Sequence, residues 1–372
     1  MAGYIMTIND MESLKKCVTT GTYSTNLSDP RNENWGTPQE GTFADYFSMK
    51  PGDSIYFFHK RKIYGIGKIK YVEFDCKFLN YKEADNPTVY TKKQFKEKEP
   101  LLRDSTPQNR CFCTFEPSPF FFENGIDMDD ALSSNPDKFK IFRTMWKVSF
   151  IKIDEEEDKA LTDIILKRNE ENLIEEKNLF EFSGKAHIEI AKKVNPEYRL
   201  NAYRLLLNAE NGKKIRHEMA IEAAICDILG KENDTLFGKW DYVSHQVAAS
   251  PFKPIDYMDK MDVFGYRYIK GFETISKYLV IEIKKDEATE DVIEQIMKYV
   301  DWINQEYAHG DYSMIEAYVV ASDFSEDVIN KRNAQCIRNF TKGYRPTQAC
   351  SWSDVNLVRY EYKEGKLIFE EV

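Results

Sequence analysis

The sequence predicts a multidomain protein of α+β and α/β class in three stretches: a strand-rich domain over 1–153, a helical connector over 154–214 and an α/β domain over 215–372. Three observations predict it. The 372 residues exceed one ordinary domain. Apolar residues alternate in the N-terminal part and switch to a helical period at Glu155. From Ile215 on, helical and strand patterns follow one another, the order of a sheet with helices packed on it.

In the first stretch, Lys50-Pro-Gly-Asp53 is a turn signal that opens the β-rich run 54–58 (SIYFF). The run 61–72 (RKIYGIGKIKYV) follows a short basic connection and reads as its hairpin partner. Proline and aromatic residues fill a loop over 116–124, and 142–153 (FRTMWKVSFIKI) alternates again as a closing strand. In the second stretch, Leu161, Ile164, Ile165, Leu173 and Leu179 recur among charges over 155–180, a helix pattern with a solvated acidic face. Asn195-Pro196 interrupts a second helical stretch, and 203–207 belongs to a third. In the last stretch, 314–322 (MIEAYVVAS) is an apolar run expected to be a core strand.

Composition excludes several classes. With 42% apolar and 14% aromatic residues, 24 Phe and 22 Tyr among them, the chain can build cores and is not of disordered type. No apolar run approaches the roughly 20 residues of a membrane helix. Residues 1–16 lack the layout of a signal peptide. These features read as a soluble, cytoplasmic protein with no membrane partner. The seven cysteines are scattered, only Cys111 and Cys113 are close, and the five histidines are dispersed. Neither a disulfide framework nor a zinc spacing is present, so buried thiols are expected. The net charge of −10 excludes a globally basic protein but not a local basic groove on an acidic body. Acid concentrates at 154–158 (DEEED), Glu170-Glu171 and Glu175-Glu176; basic residues cluster at 59–62, Lys92-Lys93 and 213–216.

The segment 257–302 carries the chemistry. Asp262 lies between apolar neighbours, and twenty positions later Glu282 lies in 277–285 (KYLVIEIKK). On a strand, Glu282 and Lys284 project to one face. Gln295 and Tyr299 then stand one helical turn apart. Two carboxylates on adjacent strands suit Mg²⁺, a hard ion that prefers oxygen, with Mn²⁺ as the alternative. A lysine beside the metal can orient water and offset negative charge during phosphodiester hydrolysis. Upstream, Glu218 and Glu222 are four apart on a helix start, and either could approach the metal. E-x-K alone is common in a chain with 31% charged residues, where it is more often an exposed ion pair. The two glutamates alone would more often be a solvated face. The combination is what points to a site.

Residues 215–322 resemble a PD-(D/E)XK nuclease domain of the RecB/NucS-like branch, with a restriction-endonuclease-like core and mixed sheet. The order matches as Glu218 or Glu222, Asp262, Glu282, Lys284, Gln295 and Tyr299, with Gln246 similar to a polar position on the strand before the Asp. The resemblance implies metal ligation by Asp262 and Glu282, a catalytic Lys284, and Gln295 and Tyr299 supporting the site or contacting phosphate. Two features depart from the pattern: the helix Glu is ambiguous, and the loop 250–260 is longer than a compact hairpin.

Residues 1–153 resemble the PUA-like β-barrel, in particular its EVE/YTH branch, on Lys50-Pro-Gly-Asp53 with its apolar strand, on Gly65-Ile-Gly67, and on Trp35-Gly36 and Phe43 upstream. The resemblance implies a pocket that stacks a flipped, modified base. Trp35, Phe57, Tyr64 and Trp146 are its candidates, and each also suits barrel core. Gly65-Ile-Gly67 is not a dinucleotide fingerprint, because no third Gly and no helix follow. Residues 59–62 contact phosphate or form a solvated turn. Together the resemblances imply a Mg²⁺-dependent DNA endonuclease, similar to modification-dependent restriction enzymes and prokaryotic anti-phage nucleases. A homodimer would serve to cut two strands. The alternatives are an inactive nuclease fold that only binds, an RNA-directed protein, and a carboxylate hydrolase with no nucleic-acid substrate.

Overall fold

The computed structural model describes residues 1–144, 150–212, 214–231, 235–250 and 258–372. It is a mixed α+β protein of two compact units. Unit 1 comprises Met1–Thr42 and Met49–Asn201; unit 2 comprises Phe43–Ser48 and Ala202–Val372. The division at Asn201 falls inside the stretch anticipated as a connector. Among the described residues, no helix is long and apolar enough to cross a membrane.

Unit 1 is built on an eight-stranded sheet whose main path runs Thr22–Asn26, Asn109–Pro117, Lys62–Ile69, Ser54–His59, Gly3–Thr7 and Phe150–Ile153. Gly3–Thr7 pairs parallel with Ser54–His59, and the other pairs are antiparallel. The path is open rather than a closed barrel, because among the described residues its two end strands pair with one neighbour each in that row. The Pro-Gly turn holds as read: Gly52 has a φ of +90°, and the Asp53 carboxylate accepts from the amides of Lys50 and Ala2. Lys60 and Arg61 both take positive φ, the geometry of a two-residue hairpin turn that matches strand twist. Of the closing strand expected over 142–153, Phe150–Ile153 is a strand and Phe142–Thr144 is a 3-10 turn, while 145–149 lie outside the described residues.

The acidic run at 154–158 departs from a solvated face. It starts the helix Glu155–Arg168, whose N-cap is Asp154. Leu161, Ile164 and Ile165 face the core as the spacing predicts, but Asp154, Glu157 and Asp158 are buried too. Asp158 is satisfied by the hydroxyls of Ser54 (2.9 Å) and Tyr56 (2.7 Å). Glu157 accepts from the amides of Ile141 and Phe142 through Oε1, while its Oε2 is buried without a hydrogen-bond partner. Short polar anchors to loop and strand therefore replace water for these acids.

Unit 2 is a six-stranded mixed sheet in the order Tyr242–Ala248, Lys260–Tyr268, Ile275–Ile283, Ile315–Ala321, Val355–Lys363 and Lys366–Glu371. The first three strands are antiparallel, the third to fifth parallel, and the last antiparallel. The apolar run at 314–322 is a buried central strand. The helix Glu218–Gly230 is apolar on nearly every side, with Ala220, Ile221, Ala223, Ala224 and Ile225 buried. The helix Asp291–Glu306 buries one stripe containing Ile293, Ile296, Val300 and Ile303. All seven cysteines are free thiols.

Burial pushes Asp154 up to about 6, and burial together with the Asp154 charge pushes Glu157 well above the usual carboxylate range. A raised folded-state value means that the stability these acids contribute is complete below their ordinary range and is lost as pH rises, through about 6 for Asp154 and through its own raised value for Glu157. Glu157→Gln keeps an acceptor for the two amides and removes the ionisation. We expect calorimetry to give it a higher Tm than wild type at pH 8, by about 2–4 °C, the shift of roughly 1 kcal/mol in a unit of this size. The difference should close near pH 4.

Candidate active site

The antiparallel register Val263–Ile281, carried one step further, sets Asp262 across from Glu282. Glu282 is 1% exposed, at the end of a strand buried on both faces. Lys284 follows it, and its Nζ lies 2.6 Å from Glu282 Oε1 and 3.3 Å from Gln295 Oε1. The Gln295 amide donates to Tyr299 Oη at 3.1 Å across one helical turn. Asp262 Oδ2 accepts the Ile283 amide at 2.8 Å. The structure thus brings Asp262, Glu282, Lys284, Gln295 and Tyr299 together.

It also separates the two helix glutamates. Glu222 is buried and accepts from Gln246 Nε2, at 3.2 and 3.0 Å to its two oxygens, and the same amide reaches Asp262 Oδ1 at 3.3 Å. Glu218, one turn earlier, is exposed and accepts the Lys285 amide at 3.3 Å. Gln246 sits in a strand with a φ of +51°, a left-handed conformation that costs a non-glycine residue on the order of 1–3 kcal/mol. Ladder pairing resumes on both sides in the same register, so the strain is confined to the residue that bridges the two acids. Most of the long loop at 250–260 lies outside the described residues.

The electrostatics are those of crowded acids. Burial, then the neighbouring Glu282 charge, pushes Asp262 well above the usual carboxylate range. Burial pushes Glu282 up to about 7, with Lys284 pulling it back. Burial opposes the charge on Lys284, but Glu282 and Asp262 outweigh it and hold its ammonium above the ordinary lysine value. Among the described residues, Glu282 Oε2 is buried with no hydrogen-bond partner. Among the described residues, no three Asp, Glu, His or Cys side chains form a ready metal cage. An orphaned carboxylate oxygen beside a second carboxylate still fits Mg²⁺, which is commonly held by one or two carboxylates and completed by water and phosphate. It does not fit a closed zinc site. Part of the basic cluster at 213–216 lies beside this strand end: Lys285 Nζ is 3.4 Å from the Arg216 carbonyl, and Lys214 is 2.7 Å from Asp286.

Two residues that the sequence reading missed adjoin the cluster. His245 is bracketed by Glu222 and by Asp45, which the structure groups with unit 2. His245 precedes Gln246 on the strand; nothing in the local sequence marks Asp45.

The aromatic candidates of unit 1 lie in its core. Trp35 donates to the Asp85 carbonyl at 2.7 Å and stacks under the buried Arg110. Phe57 packs among Tyr23, Phe115 and Phe121, and Tyr64 is 7% exposed against Gly125. Phe43 is buried beside Phe47 within unit 2. Trp146 lies outside the described residues. In the basic turn, His59 is buried against the Ile8 carbonyl, and Arg61 pairs with Asp129. A cavity of about 540 Å³ opens elsewhere, where the first strand runs into the helix Met11–Thr20. Asn9, Ser13, Tyr23, Ser24, Arg103 and Ala186 are among its walls.

No family model matches the chain, and no curated protein matches it. Among solved structures it is similar to a repair endonuclease from Pyrococcus abyssi, at 22% identity over 34% of this chain, with a TM-score of 0.21. That likeness spans 46% of the endonuclease. It is also similar to the DUF55 domain of human thymocyte nuclear protein 1, at 16% identity over 45% of this chain and 98% of that one, with a TM-score of 0.26. At these TM-scores the likenesses carry no argument about function.

Trp35→Ala and Phe57→Ala should each cost about 3–5 kcal/mol, the range for emptying an aromatic core position. Urea unfolding checks this.

Proposed function

We propose that the chain is a Mg²⁺-dependent nuclease that hydrolyses DNA phosphodiester bonds with unit 2 and reads its substrate with unit 1. One observation supports the reading: Glu282 and Asp262, with Lys284, Gln295, Tyr299, Gln246 and Glu222 around them, converge at a buried carboxylate oxygen that no group among the described residues satisfies. Asp262 and Glu282 would hold the ion, and Mn²⁺ would replace it. When bound, the ion lowers the pKa of a water and offsets charge on the phosphate.

The chain's own groups supply the rest. Glu282 and Gln295 hold the Lys284 ammonium from two sides, so that it meets a phosphate oxygen already oriented. Tyr299 fixes the Gln295 carboxamide, which leaves its oxygen toward the lysine. The Ile283 amide fixes one oxygen of Asp262 and the Gln246 amide the other. The cations at Lys214, Arg216 and Lys285 lie where flanking phosphates would run.

In unit 1, the base-reading site is the cavity beside Asn9 and Ser13, not the buried aromatics. Its volume suits one base, and its walls carry hydrogen-bonding groups. In this reading the protein cuts DNA that carries a modified base, as a restriction or anti-phage nuclease.

Plasmid and phage DNA, with and without modified cytosines, test it in Mg²⁺. Wild type should cut modified DNA preferentially, and chelation should stop it. Glu282→Ala and Lys284→Ala should lose about 10²-fold or more in rate. Ala186→Phe, which fills the cavity from the helix Lys185–Lys193, should lose the preference for modified DNA and keep the cutting. Absence of both cleavage and Mn²⁺ binding by wild type would refute the nuclease. Competition by RNA above duplex DNA at fixed salt would favour an RNA-directed binder.

A further inference from the structure

We propose that Asp45 and His245 are positioning residues of this site: a charged imidazole, gripped on one side by Asp45, fixes Glu222 so that Gln246 presents its amide to Asp262. The proposal rests on the nuclease reading above and extends it to residues that touch neither metal nor substrate.

The geometry is a chain of contacts within unit 2. Asp45 Oδ1 lies 2.7 Å from His245 Nε2, and His245 Nδ1 lies 2.8 Å from Glu222 Oε1. An ionised carboxylate only accepts, so hydrogen bonds to two of them require an N–H on each ring nitrogen, which is the imidazolium. Burial opposes that charge, but Asp45 and Glu222 outweigh it and push the ring up to about 10. Both oxygens of Glu222 are then engaged, one by His245 and Gln246 together and the other by Gln246. Glu222 therefore acts on Asp262 through the Gln246 amide rather than as a ligand of its own.

Without the imidazolium, Glu222 would lose the donor that sets its angle. The grip comes from the segment Phe43–Ser48, two hundred residues before the histidine. Asp45 is partly exposed, so a change there leaves the core packing in place.

The test uses full-length protein, with Asp45→Asn, Asp45→Glu and His245→Gln beside wild type. Mn²⁺ affinity is measured by titration calorimetry, and kcat and KM by DNA cleavage, with thermal melts as the folding control. Asp45→Asn and His245→Gln should weaken Mn²⁺ about 10-fold or more, the usual effect of removing an outer support. Their kcat should fall while KM for DNA holds, and Asp45→Glu should recover part of the loss. A merely structural ion pair would lower Tm and leave metal affinity and kcat alone, and that result overturns the proposal. If His245→Gln does not fold, Asp45→Asn decides by the same readouts. A wild type that neither binds Mn²⁺ nor cuts sinks the nuclease reading itself, whereas variants equal to an active wild type sink only the clamp.

Discussion

Unit 2 is organised around two carboxylates facing each other inside a sheet. Asp262 and Glu282 stand across an antiparallel pair, Glu282 buried and Asp262 half-buried, where like charges repel and water screens them little. Such an arrangement persists only if the surroundings compensate it, and the surrounding residues are what that compensation needs. A backbone amide serves one oxygen of Asp262, a carboxamide serves the other, and an ammonium serves one oxygen of Glu282. One oxygen of Glu282 is left with no hydrogen-bond partner among the described residues, as is Oε2 of Glu157 in unit 1, and what sets this cluster apart is the Lys284 ammonium beside it.

The same constraint explains the local irregularities. A regular strand would carry Gln246 past Asp262 without bridging it to the helix. The left-handed residue there accepts strain so that one amide can serve Glu222 and Asp262 together. The helix carrying Glu222 is apolar nearly all round because it packs in the interior, and its two buried acids are tolerated because each is met, Glu222 by an imidazole and an amide and Asp227 by the Ala202 amide and Lys231. Strain and buried polarity coincide at this place, as expected where geometry is held against the preferences of the chain.

Much of the site was legible in the sequence, for a physical reason. Strand alternation puts Glu282 and Lys284 on one face, and helical pitch does the same for Gln295 and Tyr299, so local periodicity alone groups them. It could not choose between Glu218 and Glu222, because residues four apart share a face and only burial separates them. It could not find Asp45, since no local pattern links residues two hundred apart. In unit 1 the hairpin was legible from its turn chemistry, while the pocket was not. Aromatic content names residues fit for stacking, but the same residues fill cores, and Trp35, Phe57 and Tyr64 do so. The cavity walls instead mix polar, apolar and charged residues drawn from segments far apart in the chain. The acidic run at 154–158 misled for a related reason. Charge predicts solvent only when no donors are near, and here loop amides and hydroxyls meet three of the five acids.

The net charge of −10 bears on how an acidic body could handle a polyanion. Part of the negative charge is internal: Glu222, Glu282, Glu157 and Asp158 are buried, and each is hydrogen-bonded at close range. Charges met in this way contribute little field at the surface. Near Glu282 the surface charge is mixed: Lys214, Arg216, Lys284 and Lys285 stand among the exposed acids Glu218, Asp286 and Asp291. Formal charge summed over a chain therefore misjudges the potential at a site of this kind, because acids that burial holds toward the neutral form, or that a cation meets, weigh less than their count.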